Sequence, residues 1–383
     1  MASCQDASMQ RDGLTILISG AGIAGATLAA LLGRAGYRVT VVERDQGTRT
    51  SGNPVDVRKG AYQVAEQLGV MSRLQDAATK VRELIFVDDA GRRVASLRTR
   101  QSDREVELPR ADLSAILVEA GRGDAEFLFD EVITELHPDA GGVDVIFDHS
   151  APRRFDLVVG ADGLHSGVRR LAFGSEADFA EHLGIYIATA TLGIPMERDD
   201  TVIMYNEPGK AVALHPGTGS AGAAFMFRSR ARIDHRDPEA ARLLLKQTYR
   251  NVGWRTQELL SAYLSTDDVY FDGVSRIRMS SWSRGRVTLL GDAASCVSLF
   301  GDGSSSAMEG AATLATSLSS SPQDLATALA LYESAHRRVI RPRQRGVVIA
   351  SHLLIPKSRL GITLRDRSLE LVGRRWAERR RVV

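Results

Sequence analysis

The first residues whose types and spacing could do chemistry are the glycines of Gly20-Ala21-Gly22-Ile23-Ala24-Gly25, a G-x-G-x-x-G run. The first glycine permits a tight turn. The second lets a diphosphate approach the backbone, and the third lets a helix pack closely on a strand. The phosphates then rest on a helix N-terminus, where unpaired N–H groups and the macrodipole favour negative charge. Leu14–Ile18 is β-branched and strand-like, whereas Ala26–Leu32 favours helix. Glu43 ends the next strand, about 20 residues beyond the motif, where a carboxylate accepts from ribose hydroxyls. This set binds a dinucleotide, and by itself it does not separate FAD from a nicotinamide.

Two further segments carry the cofactor question. They are Gly160-Ala161-Asp162-Gly163-Leu164-His165-Ser166-Gly167-Val168-Arg169 and Gly291-Asp292-Ala293-Ala294. With the glycine run, they make the sequence resemble the class A aromatic-hydroxylase family of flavoprotein monooxygenases, including its tetracycline-modifying branch. That family carries G-x-G-x-x-G, a DG motif and a GD motif in this order, and the resemblance runs from about Leu14 to about Ala350. It implies that Glu43 binds the adenosine ribose of FAD, with Arg44 facing the same adenosine. Asp162 and Gly163 would help to hold FAD and a transient NADPH or NADH, and Gly291 and Asp292 would hold the ribityl chain. Leu108-Pro109-Arg110-Ala111-Asp112-Leu113 resembles the family's R-x-D-L segment, whose arginine reaches the flavin side chain and phosphates. Asp56-Val57-Arg58 resembles a segment of the tetracycline-modifying branch that sets an arginine near the isoalloxazine ring. For both arginines, a surface cation is the alternative.

The segment after the GD motif departs from the family, since Ser295 stands where a His is usual and no Pro follows. Gly301 and Gly303 still allow backbone N–H groups to approach the flavin's pyrimidine end. Asp302 beside a flavin edge is a candidate acid–base group, with a turn or N-cap aspartate as the alternative. Arg58 and Asp302 are the two catalytic candidates. The resemblance implies FAD reduction by NAD(P)H, O2 addition to give a C4a-hydroperoxide, and oxygen transfer to a bulky aromatic or polycyclic small molecule. The cofactor then carries the reactive chemistry. Two other readings stay open: an FAD-dependent dehydrogenase or cyclase, and a non-catalytic flavin-binding scaffold. In Ala223-Ala224-Phe225-Met226-Phe227, alternation puts Phe225 and Phe227 on one face. They line an aromatic substrate pocket or pack a sheet core. Tyr205 and His215 are further substrate-site candidates. The eight histidines show no metal-ligand spacing.

These residues need an α/β scaffold: a Rossmann-type FAD-binding domain, an inserted β-rich substrate domain and C-terminal helices. We expect the FAD-binding domain at 12–73, 101–178 and 269–330, the substrate domain at 74–100 and 179–268, and a helical segment at 331–383. Asp89-Ala90-Gly91 and Gly141-Gly142 read as hairpin turns. Pro238–Tyr249 reads as a helix and Val269–Arg278 as a strand. Helix dominates from Ser304 onward, with breaks near Pro322 and Pro356.

Composition closes off other classes. The chain has 383 residues, 44% of them hydrophobic and 25% charged, ordinary for a globular protein of two or three domains. A formal charge of +2 argues against nucleic acid as a partner. Cys4 and Cys296 make neither a disulfide framework nor a metal site, which points to a reducing, cytoplasmic setting. The first dozen residues are polar and read as a leader without signal-peptide character. The uncharged run Gly13–Gly33 reads as strand, glycine turn and helix, so no stable membrane insertion is expected. Composition leaves the oligomeric state open.

Overall fold

The computed structural model of the chain describes residues 13–47, 54–98, 104–196, 198–217, 221–296 and 302–381. Thr15–Ser19 is a strand because its β-branched residues are buried on both faces, and Ile23–Arg34 is the helix that follows. Together they resolve the uncharged N-terminal run. Among the described residues, no single helix is long and apolar enough to cross a membrane.

The nucleotide unit is built on a six-stranded sheet. Its spatial order is Ser283–Arg284, Val287–Leu289, Leu157–Gly160, Thr15–Ser19, Arg38–Glu43 and Ala125–Phe129. All neighbours are parallel except the first pair. This order brings the C-terminal ends of three strands, far apart in sequence, to one edge. Gly20, Asp162 and Asp292 all follow those ends, the position at which open α/β sheets bind ligands.

The second unit is a seven-stranded sheet ordered Val269–Ile277, Ala180–Thr191, Ala221–Arg228, Lys210–Pro216, Thr201–Glu207, Glu83–Val87 and Arg93–Arg98. The last two strands form the expected hairpin, turning at Gly91 with φ +78°. Helices Pro238–Tyr249 and Thr256–Leu264 cover one face of this sheet. The expected domain boundary places residues from 269 in the nucleotide unit, yet Val269–Ile277 pairs along Ala180–Ala190 as an edge strand of the second sheet. A strand's ownership follows from its partner, which local pattern does not reveal.

Two short strands went unrecognised in the sequence. Val55–Arg58 pairs antiparallel with Glu105–Leu108, and Val57, Val106 and Leu108 go to the core. The opposite face carries Asp56, Arg58, Glu105 and Glu107. Helix Asp302–Ser320 clamps this ribbon: the hydroxyls of Ser304 and Ser305 both donate to the Asp56 carbonyl at 2.8 Å. The later helices are Leu325–Leu354 and Arg359–Arg381, broken where Pro322 and Pro356 forecast. The boundary expected at residue 331 falls inside the first of them.

A Cβ at Gly25 would lie 1.9 Å from the Gly20 carbonyl oxygen, which is backbone and cannot turn aside. Gly25→Ala should therefore cost about 1–3 kcal/mol or more through overpacking. Gly123→Ala, where nothing lies within 4 Å, should cost little. Equal urea midpoints for the two variants would contradict this account.

Candidate functional site

The glycine cradle has the shape a diphosphate needs. Gly20 takes φ +103°, and a Cβ there would meet Ala161 O at 2.7 Å. The same turn thus seals the loop against the DG segment. Gly22 is the N-cap of helix Ile23–Arg34, and a Cβ there would meet nothing within 4 Å. That open side is where a phosphate can reach the helix N-terminus. The Glu43 carboxylate accepts from Ala21 N at 2.8 Å and Asp45 N at 3.1 Å, so it is aimed at the loop with lone pairs left for sugar hydroxyls. Arg44 beside it is exposed. Across the cradle, Gly291 takes φ +63°, and a Cβ there would lie 2.9 Å from the Ala24 methyl. Asp292 then opens the short helix Asp292–Ser295. Arg110 opens helix Arg110–Gly121 with an exposed side chain that makes no hydrogen bond or ion pair among the described residues. These features fit FAD: backbone room, a helix N-terminus, two placed carboxylates and an available cation.

The DG segment is a joint between the two units. Asp162 accepts from the Ser166 hydroxyl and from Val168 N at 3.0 Å, capping the helix Gly167–Ala172. Burial raises its pKa, and these hydrogen bonds oppose that shift. Gly163 takes φ +81° at the turn between them. Arg169, 0% exposed, donates to Ala293 O at 3.0 Å, Leu164 O at 2.6 Å and Glu176 Oε2 at 3.0 Å. A single guanidinium therefore ties the DG segment to the GD helix.

His165 continues the chain of contacts. Its Nδ1 meets Glu176 Oε1 at 2.9 Å, and its Nε2 meets Asp272 Oδ2 at 3.2 Å on the edge strand of the second sheet. His235 stacks on it with ring centroids 3.6 Å apart. Burial opposes a charge on His165, but the two carboxylates outweigh it and raise the pKa to about 9. His165 and Arg169 stand inside the DG motif, but their types and spacing alone assign neither a role. Asp272, 107 residues away, carried no signal at all.

The ribbon joins the two catalytic candidates into one ion pair. Arg58 donates from Nη2 to Asp302 Oδ1 at 2.6 Å and from Nη1 to Glu105 Oε1 at 3.4 Å, with Asp56 3.7 Å away. Asp302 begins the helix Asp302–Ser320, so the candidate acid–base group is hydrogen-bonded to the Arg58 guanidinium at the helix start. The Asp56 carboxyl is pushed up to about 6, because burial and the nearby Glu107, Glu105 and Asp302 outweigh Arg58. His215 reaches this face from the second sheet, with Nε2 3.4 Å from Glu107 Oε1. Gly303 lies in the first turn of the same helix, and a Cβ there would meet nothing within 4 Å. Gly301 lies outside the described residues.

The other three substrate candidates lie elsewhere. Tyr205, Val212, Phe225 and Ala188 are cross-strand neighbours on one face of the second sheet. That face is the one the helices cover. Phe225 and Phe227 are both 0% exposed and meet Tyr249 edge-on at 5.2 and 5.8 Å. Tyr205 packs beside Trp254 and donates to Glu207. These rings are core, not pocket: alternation fixes which residues share a face but not which face a helix will cover.

The opposite face carries Tyr270, Thr189, Ala224 and Ala213 as neighbours, with His215 two residues beyond Ala213. Thr189 Oγ1 is buried without a partner. The Tyr270 phenol is raised by burial and by Asp272, opposed by Arg110, and also influenced by Asp292. It therefore stands within electrostatic reach of two of the cofactor candidates. Thr189 and Tyr270 are candidate site residues that residue types alone do not mark. Their only signal was odd–even parity against Phe225, readable once the covered face was known.

With this geometry in place, the chain can be set beside known proteins. Residues 14–344 match the FAD binding domain family. The sequence is 38% identical over 342 residues to an uncharacterized protein of Mycobacterium tuberculosis, covering 86% of this chain and 91% of the relative. It is 31% identical over 351 residues to a flavin-dependent monooxygenase of Legionella longbeachae, covering 89% and 90%. Among solved structures, tetracycline destructase Tet(55) superposes with a TM-score of 0.83 at 31% identity, covering 94% of this chain and 96% of that one.

The His165 tie has a defined pH window. Its folded pKa of about 9 lies above the ordinary 6.5, so its stabilisation is complete below pH 6.5 and is lost as pH rises through 9. His165→Gln should melt below the wild type by the widest margin at acid pH, and the two curves should converge above pH 9. A gap that widens as pH rises would contradict the assignment.

Proposed function

The chain belongs to the FAD binding domain family, among the class A, aromatic-hydroxylase-like flavoprotein monooxygenases, and from that premise we propose a specific activity for this FAD-dependent oxidoreductase. It takes electrons from NADPH or NADH and uses O2 to oxygenate a bulky aromatic or polycyclic small molecule.

The observation that carries this reading is that two surfaces lie side by side where the GD helix Asp292–Ser295 packs on strand Val269–Ile277. One is the edge where Gly22, Glu43, Asp162 and Asp292 converge. The other is the small-residue face of the second sheet, with Thr189, Ala213, Ala224 and Tyr270. FAD, when bound, supplies the redox and oxygen chemistry. The chain's residues position and shield it. Glu43 takes the adenosine ribose, with Arg44 alongside. The helix N-terminus at Ile23 takes the diphosphate, and Asp292 holds the sugar-alcohol chain. Arg110 neutralises phosphate charge, and Gly303 leaves the backbone open beside the ring. The Arg58–Asp302 pair fixes the ribbon face toward the substrate. His215 and Thr189 offer polar contacts on a largely apolar wall, as small-molecule sites use them. The name of Tet(55) supports a polycyclic substrate class.

The test begins with the visible spectrum of the purified protein and the chromophore released on denaturation, expected to be FAD. Asp292→Ala removes a charge-assisted hydrogen bond worth about 1.5–3 kcal/mol, so FAD should bind roughly 10–100-fold more weakly. Turnover with a polycyclic phenol should consume NAD(P)H and place label from 18O2 in the product. Undiminished turnover under strict anaerobiosis would instead assign a dehydrogenase or cyclase. Wild-type FAD content in Asp292→Ala would remove the role given to that carboxylate.

A further inference from the structure

A second concavity, of about 310 Å3, is lined by Ser295 of the GD segment and by none of the cradle residues Gly20–Gly25. Five guanidinium side chains line it: Arg276 and Arg278 from the end of the edge strand, and Arg337, Arg341 and Arg345 from helix Leu325–Leu354. Two carboxylates answer them. Glu181 pairs with Arg276 at 2.7 Å and Arg278 at 2.8 Å, and Glu333 pairs with Arg337 at 2.7 Å. Five positive charges against two negative ones leave three in excess, in a chain whose total is only +2.

Arg341 and Arg345 make no hydrogen bond or ion pair among the described residues. With Arg337 they recur every fourth residue on one helix face, a like-charge spacing that destabilises a helix by itself. Arg276 Nε is buried without an acceptor. The walls are otherwise fixed. Arg337 lies over the ring of Trp282 at 4.5 Å, and Trp282 is 2% exposed. Gln344 Nε2 donates to Ile277 O at 3.2 Å and Cys296 O at 3.3 Å, joining the arginine helix to the residue that ends the GD helix.

The geometry points to a binding site for a phosphate-bearing anion. Planar guanidinium forks match phosphate oxygens in pairs, and this cavity presents several with unused donors. Its volume lies at the low end of ligand sites, about 300–1,000 Å3, which suits a diphosphate or a phosphorylated ribose more than a whole dinucleotide. The chain has one glycine cradle, and FAD takes it, so the phosphates of a nicotinamide reductant need another holder. The pocket beside Cys296 is placed to be that holder. Assigning the phosphate to NADPH rests on the activity proposed above; the anion site itself rests on the pocket alone.

The probe is inorganic pyrophosphate, titrated calorimetrically into the FAD-loaded full chain, wild type and Arg341→Gln/Arg345→Gln. Both arginines are exposed, so the double variant should fold and keep its FAD. Pyrophosphate should bind the wild type with strong salt dependence and bind the double variant at least about tenfold more weakly, as expected for lost charge-assisted contacts. A matching rise in KM for NADPH would identify the reductant as the phosphate source. Unchanged KM with lost pyrophosphate binding would identify a free phosphate anion. Absent binding, or equal affinity in both proteins, overturns the site. If the enzyme oxidises neither nicotinamide, the proposed activity falls, and the titration still decides the pocket.

Discussion

The guanidinium of Arg169 is the contact on which the assembly of the site depends. It is fully buried, and a buried cation is tolerated only where acceptors surround it. Here the acceptors belong to three different segments: Leu164 O in the DG turn, Ala293 O in the GD helix and the Glu176 carboxylate. Glu176 in turn holds His165, and His165 reaches Asp272 on the second sheet. One buried charge thus forces the DG turn, the GD helix and the edge of the second sheet into a fixed relation. Removing the Glu176 carboxylate would leave that buried charge without its ion-pair partner, so the cost would fall on all three segments together.

Backbone contact does for the glycine loop what Arg169 does for the motifs. Gly20 and Gly25 let the loop, the first helix and Ala161 approach within distances that a side chain forbids, and Gly291 does the same against Ala24. The ribbon adds a third fastening through Ser304 and Ser305, whose hydroxyls end on one carbonyl of Asp56. The nucleotide edge is therefore held by short backbone contacts and by buried polar bonds. Apolar packing lies beneath it, in the sheet and the first helix.

The second sheet divides its faces by side-chain size. One face is aromatic: Phe225, Phe227 and Tyr186 pack with Tyr249 and Tyr263 beneath two helices. The other carries Ala213, Ala224 and Thr189 at its centre, small residues that let another surface come close. Toward its far end, Ile355 and Leu354 of the C-terminal helices cover Phe86, Met204 and Met226. Large rings maximise buried area against helices, while small ones leave room for a ligand. This is why the two phenylalanines that look most like a substrate pocket in sequence turn out to be its foundation.

Much of the nucleotide unit was legible in the sequence because its constraints are local. A glycine that must take positive φ, a β-branched run buried on both faces, a hairpin turn at Gly91 and the breaks at Pro322 and Pro356 all follow from a few neighbouring residues. The three motifs and their order identified the family from residue types alone. Tertiary structure decided everything that depends on partners distant in the chain. It moved Val269–Ile277 into the second sheet, made Arg58 and Asp302 one ion pair across 244 residues, and brought His165 to Asp272 across 107. It also chose which face of the second sheet meets the helices. Local sequence fixes backbone conformation and face parity, but which face is buried and which charges meet are set by long-range packing, to which every segment contributes at once.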